Sequence, residues 1–137
     1  DYEDYIVDDF ARRIVAAPNE LDVVLLPNLY GDILSDEAAA LVGGLGVAPS
    51  ACYSDDFAYF EPVHGTAPDI AGRHIINPTS TLLSAVMMLD YLGLSNEAAG
   101  LQGAVEAIYA EGRVLTPDQG GNATSDEFCR AVRDKLL

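Results

Sequence analysis

Positive charge is scarce in this 137-residue chain: seven lysines and arginines face 22 acids, Lys135 is the only lysine, and the formal net charge is −15. Such a field repels phosphate backbones and anionic headgroups, so neither nucleic acid nor a membrane surface is an expected partner, and cations are favoured. Most of the acid is expected to be solvated surface, because a metal site needs only a few carboxylates. No apolar run approaches the ~20 residues of a membrane-spanning helix. No basic-then-apolar leader is present, so nothing in the sequence points to secretion. The two cysteines, Cys52 and Cys129, fit neither a CxxC nor a zinc spacing. Free, partly buried thiols in a reducing compartment are expected, hence a cytoplasmic or organelle-matrix location, the cytoplasm first. There is no GxGxxG and no Walker pattern, which argues against a Rossmann or P-loop nucleotide site. No Ser-His-Asp or Cys-His order stands out, and His74 has no evident partner.

What is present is an apolar half of the composition, enough for an ordinary domain core, and a chain that opens on Asp1 and is expected to be a piece of a longer protein. Apolar periodicity predicts a helix over residues 4–17, ended by Pro18-Asn19. Residues 22–26, Asp-Val-Val-Leu-Leu, read as a strand buried on both faces. A second helix is expected over 32–42, stopped by Gly43-Gly44-Leu45-Gly46, which with the loop through Pro49-Ser50 is the candidate domain hinge. Further on, 58–60 reads as a short strand, 77–92, 96–110 and 124–136 as helices, and 113–121 as loop. Thr124 or Ser125 caps the last helix.

Two features carry chemistry. Asp32 and Asp36 are four apart and lie one turn above each other on one helix face. They are either helix-start acids, with Asp32 as cap and Asp36 and Glu37 facing the dipole, or two oxygen ligands of Mg²⁺ or Mn²⁺. Asp8 is a candidate for a third. Residues 61–72 hold two prolines and two glycines interleaved with His64, Thr66, Glu61 and Asp69, the composition of a binding loop rather than a spacer. His64 could stack on a purine or donate to phosphate, Gly65 and Thr66 could offer N–H and hydroxyl donors, and Asp69 could accept from ribose hydroxyls.

In order along the chain, Tyr5-Ile6-Val7-Asp8, residues 28–36, Gly43-Gly44-Leu45-Gly46, residues 61–72, Asn77-Pro78-Thr79, residues 83–89 and residues 116–121 resemble the β-decarboxylating dehydrogenases of isocitrate, 3-isopropylmalate, homoisocitrate and tartrate. Gln119 departs from the apolar residue commoner there. The resemblance implies an α/β fold, the C-terminal part of the two-domain isopropylmalate dehydrogenase-like fold, which is not Rossmann in topology. It implies that residues 1–42 end the smaller, dimer-forming domain and that 43–137 form the C-terminal part of the larger, cofactor-binding one. It also implies that Asp32 and Asp36 bind Mg²⁺ or Mn²⁺, with Asp8 serving the neighbouring subunit's site in a homodimer or higher oligomer.

By the same resemblance Glu61 lies near the nicotinamide of NAD, His64, Gly65, Thr66 and Ala67 contact its adenosine and phosphate part, and Asn77 contacts the adenine. Asp69-Ile70 stands where NADP-using members tend to carry Lys-Tyr, so NAD is the expected cofactor. The expected reaction is oxidative decarboxylation of a small 2-hydroxy acid, isocitrate first, with a regulatory subunit of the same fold as the competing reading. The family's catalytic Tyr and Lys and its substrate arginines lie upstream of the matched region. No catalytic residue is therefore assigned here, and the chain by itself is expected to be inactive and, lacking strands of its sheet, prone to aggregate.

Overall fold

The computed structural model describes residues 2–137. By its own packing the chain divides into two units at Gly44/Leu45, inside the glycine run.

The first unit is built on two helices. Helix α1 (Val7–Ala16) buries Phe10 and Ile14, four residues apart. Asp8 and Asp9 occupy its first turn and Arg13 its last, each matched in sign to the helix dipole. Helix α2 (Asn28–Leu41) buries Leu34, and Phe10, Ile14 and Leu34 form a small core to which Tyr5, Ala11, Leu21, Leu26 and Ala38 add partly buried surface. A short 3₁₀ turn (Pro18–Glu20) follows α1.

Residues 22–26 do not form the expected buried strand. They carry no ladder, and Val23 and Leu25 are 89% and 96% exposed. An apolar run becomes a strand only where another strand accepts its N–H and C=O groups. No segment of this unit does so among the described residues.

Helix α2 also starts four residues before its expected beginning. The Pro27 carbonyl accepts from the Gly31 N–H at 2.8 Å, so the first helical bond closes over Asn28-Leu29-Tyr30 without any side-chain cap.

The second unit pairs an antiparallel hairpin with three helices. Strand β1 (Pro49–Tyr53) runs against β2 (Ala58–Pro62) in the register Pro49↔Pro62 to Tyr53↔Ala58. The sequence placed Pro49-Ser50 in a loop. Here Pro49 is instead the first residue of a strand, a position that does not need its missing N–H. The Ser54 hydroxyl accepts from the Phe57 N–H at 3.2 Å and closes the turn. Tyr53, Phe60 and Tyr91 meet with centroids 5.8–5.9 Å apart.

Helix α3 (Thr79–Tyr91) lies on the hairpin through hydroxyls as well as apolar groups. Ser80 Oγ donates to the Ala48 carbonyl, while Ser84 Oγ stands 2.9 Å from both the Glu61 and the Ser80 carbonyls. Gly93, at φ +77°, ends the helix in the left-handed conformation that suits glycine.

Helices α4 (Ser95–Glu111) and α5 (Ser125–Leu136) complete the main core of Ala104, Val105, Ile108, Phe128 and Val132. The expected cap of α5 is a full capping box: the Glu127 N–H donates to Thr124 Oγ1 at 3.2 Å and the Thr124 N–H to Glu127 Oε2 at 2.8 Å. His74, assigned no partner from sequence, sits at φ +54°, accepts from the Ser125 N–H at 2.9 Å through its carbonyl, and has its ring 4.0 Å from Asp126. Cys52 and Cys129 are free, as expected, but exposed rather than partly buried, because each lies on the outer face of its element. No described helix is long and apolar enough to cross a membrane.

Candidate functional site

Asp32 and Asp36 lie in the second and third turns of α2, because the helix begins at Asn28. Neither can then be a cap, and the first turn holds no acid at all. Both side chains are exposed, one turn apart on the same face, and neither carboxylate hydrogen-bonds or pairs with a cation among the described residues. Ser35 Oγ reaches the Asp32 main-chain carbonyl at 3.3 Å and leaves the carboxylate alone. Asp8, in the first turn of α1, accepts from the Asp9 N–H at 2.8 Å. The described residues contain no cluster of three or more metal-ligating side chains, so the chain does not bring Asp8 to the other two acids.

The loop of residues 61–72 is held where it leaves β2. Glu61 and Pro62 finish β2, and the Val63 N–H donates to the Ala48 carbonyl at 3.3 Å. His64 Nδ1 lies 2.9 Å from the Gly65 carbonyl. A carbonyl can only accept, so Nδ1 carries a proton and a neutral ring presents Nε2 as a bare acceptor. That Nε2 is buried and has no partner among the described residues.

Ala67 adopts φ +42°, a left-handed conformation that an L-residue enters at a cost of about 1–2 kcal/mol. Pro68 then starts a 3₁₀ turn (Pro68–Ile70) that carries Asp69, exposed with its carboxylate unengaged, and Ile70, half-buried. A strained residue next to an orphaned ring nitrogen, in a loop fixed at its base, is what a ligand-holding segment looks like. Ala67→Gly is expected to raise the free energy of unfolding by about 0.5–1 kcal/mol in urea titrations, since it removes that strain.

Asn77 has a different environment. It is 4% exposed, and its side chain is fully committed. Nδ2 donates to Tyr109 Oη at 3.1 Å and to Asp118 Oδ2 at 2.9 Å, and Oδ1 accepts from the Thr79 N–H at 3.0 Å. Tyr109 Oη also lies 2.8 Å from Thr79 Oγ1. Burial works against ionisation of Asp118, but hydrogen-bond donors, among them the amides of Asn77 and Gln119 at 2.9 and 3.0 Å, outweigh it and hold the carboxyl below the usual range. Any adenine contact at position 77 therefore falls to its main chain, whose N–H and C=O make no hydrogen bond among the described residues.

Sequence reading missed Tyr109, Thr79 and Asp118 as parts of one network. Thr79 is a near neighbour of Asn77, but Tyr109 and Asp118 stand 32 and 41 residues from it, and no local spacing signals that meeting.

Comparison with known proteins gives this arrangement its family. The family described as isocitrate/isopropylmalate dehydrogenase matches residues 1–134. The chain belongs to the isocitrate/isopropylmalate dehydrogenase family. It is 53% identical over 134 residues to the isocitrate/homoisocitrate dehydrogenase of Thermus thermophilus, a match covering 98% of this chain and 40% of that protein. It is 51% identical over the same span to the 3-isopropylmalate/3-methylmalate dehydrogenase of Methanocaldococcus jannaschii, again 98% of this chain and 40% of the relative. Its fold matches the crystal structure of isocitrate dehydrogenase from Methylococcus capsulatus with a TM-score of 0.92 at 39% identity, over 96% of this chain and 40% of that one. The chain thus spans about 40% of the length of the curated relatives it matches. The expected fold class, that of isopropylmalate dehydrogenase-like enzymes, is borne out.

For an isocitrate/isopropylmalate dehydrogenase, the residues present fit a divalent cation and a dinucleotide to different degrees. The Asp32–Asp36 pair offers hard oxygen donors with no competing partner, which suits Mg²⁺ or Mn²⁺ as a partial ligand set. The loop offers an unmet ring nitrogen at His64 and an open carboxylate at Asp69, which suit a nucleotide.

Proposed function

We propose that this chain is the C-terminal part of an NAD- and Mg²⁺/Mn²⁺-dependent dehydrogenase that oxidises and decarboxylates a 2-hydroxy acid, with isocitrate as first choice and homoisocitrate, 3-isopropylmalate and tartrate as its near alternatives. The observation that carries the reading is the buried, unpartnered Nε2 of His64 beside the strained Ala67, in a loop whose order of residues matches the family's cofactor loop.

When bound, NAD supplies the hydride acceptor and the cation supplies polarisation of the substrate's oxygens. The chain's own part is to bind and orient. Asp32 and Asp36 give up no intramolecular bond to serve as ligands, so their free carboxylates are available at no structural cost. Asp8 acts on the site of the neighbouring copy, which accounts for its distance from the other two in this one. His64 Nε2 meets the adenosine moiety, with Gly65, Thr66 and Ala67 following it along the ligand and Glu61 at the nicotinamide end. The main chain of Asn77 offers one donor and one acceptor, the pair that an adenine edge requires.

Asp69, in the exposed 3₁₀ turn, accepts from a free ribose 2′-hydroxyl and repels a 2′-phosphate. We expect kcat/KM for NAD to exceed that for NADP by roughly a hundredfold, since like-charge juxtaposition with a bound ligand costs up to several kcal/mol. Asp69→Ser should shrink that ratio by an order of magnitude or so. A wild-type preference for NADP would overturn the assignment.

The reading as a whole is tested by supplying the intact enzyme with NAD, Mn²⁺ and each of the four acids in turn. NADH formation that requires metal and releases CO₂ supports it. No NADH with any acid, from a protein that is folded and metal-loaded, rejects it.

A further inference from the structure

We infer that Asp118 and Tyr109 are positioning residues for the dinucleotide: they clamp the Asn77 amide, and through it hold the Asn77 main chain in the place where an adenine edge is read. The inference deepens the proposal above and rests on it.

Three elements converge on one side chain. Asn77 precedes α3, Tyr109 projects from α4, and Asp118 sits in the 3₁₀ turn Pro117–Gln119. Together they take up both Nδ2 protons and one Oδ1 lone pair of Asn77 at 2.9–3.1 Å. An amide fixed at three points cannot rotate without leaving a buried group unsatisfied.

Gly46 closes the network from a fourth direction. A Cβ there would stand 3.2 Å from Asp118 Oδ2 and 3.3 Å from the Asn77 Cβ, so the start of the second unit lies directly against both residues. Its glycine is explained by room rather than by dihedral freedom. The donors around Asp118 keep its carboxylate ionised, which makes the bond to Asn77 charge-assisted and stronger than a neutral one.

A purely structural role would show in stability and leave ligand affinity alone. A positioning role shows in binding of one ligand. Asp118 touches neither substrate nor reacting atoms, so its loss removes binding that is equal in the ground and transition states, and such a loss raises KM at unchanged kcat.

The test is steady-state kinetics on the intact wild-type enzyme and on Asp118→Ala, Asp118→Asn and Tyr109→Phe, with NAD and the acid varied separately, and a direct titration with NAD in the absence of acid. Asp118→Ala is expected to raise KM and Kd for NAD roughly tenfold, the equivalent of one lost charge-assisted hydrogen bond. Its kcat and the KM for the acid stay within about twofold. Asp118→Asn keeps a carbonyl that can accept from Asn77 and is expected to recover most of the affinity. Tyr109→Phe leaves one Nδ2 proton unmet and is expected to fall between.

A folded Asp118→Ala enzyme with wild-type affinity for NAD overturns the inference and leaves the proposed function standing. Equal losses for NAD and the acid also overturn it. If Asp118→Ala does not fold, the Tyr109→Phe titration decides in the same way. A wild-type enzyme that shows no saturation by NAD overturns the inference together with the function beneath it.

Discussion

Asp32→Asn is expected to weaken Mn²⁺ binding by the intact enzyme roughly a hundredfold, on the order of 3 kcal/mol, and to leave the folded state untouched. The amide keeps the size and one oxygen of the carboxylate but removes its charge, and hard divalent cations are held by charge and number of oxygen ligands. Because the Asp32 side chain is exposed and has no partner among the described residues, its replacement breaks nothing in the fold. The change in unfolding free energy should lie within about 0.5 kcal/mol. Paramagnetic resonance of free Mn²⁺ during titration measures the first quantity, and urea unfolding without metal the second. Asp9→Asn is the control: that acid pairs with Arg12 at 2.7 Å on the exposed side of α1 and should not change Mn²⁺ affinity. Unaltered affinity in the Asp32 variant would reject this residue as a ligand.

Phe128→Ala is the substitution expected to do most damage to the second unit, about 3–5 kcal/mol. The ring is 0% exposed, sits among Ile108, Val105 and Val132, and meets Tyr109 edge-on with centroids 5.9 Å apart. Typical domains are stable by only about 5–15 kcal/mol, so the variant should lose a large share of its margin. The shift of the urea midpoint reads it out directly. Phe128→Leu, which fills most of the space, should cost well under half as much. Tyr109 is also one of the groups that holds Asn77, so loosening its ring should carry through to NAD affinity in a way that a cavity elsewhere in the core would not.

The sequence was most legible where local rules suffice. The helix ending near Leu136 announced itself by Thr124 or Ser125 as cap, and the structure chooses Thr124 and adds the reciprocal bond to Glu127. Residues 22–26 and 49–53 were misread for opposite reasons. The first has every strand-forming residue type and no partner to pair with. The second opens on Pro-Ser, which looks like a turn, and is made a strand by the facing segment 58–62. Pairing is a property of two segments, and no single stretch records it.

The candidate site divides along the same line. The four-residue spacing of Asp32 and Asp36 places them on one helix face whatever else happens. Whether Asp32 can be a cap, however, depended on where α2 begins, and that was set by the Pro27 carbonyl rather than by any capping side chain. The network around the Asn77 side chain was invisible for a further reason: its partners come from α4 and from a turn after it.

Ser84 has one proton and two carbonyls to give it to, those of Ser80 and Glu61, each at 2.9 Å. It can satisfy only one at a time. A rotation of one hydroxyl, which exposed side chains complete in picoseconds to nanoseconds and buried ones more slowly, therefore hands a bond back and forth between helix and strand. Whichever carbonyl takes the proton, Glu61 stays in register with Ser50 across the hairpin. One hydroxyl of α3 thus reaches both its own helix and the strand end from which the loop of residues 61–72 departs.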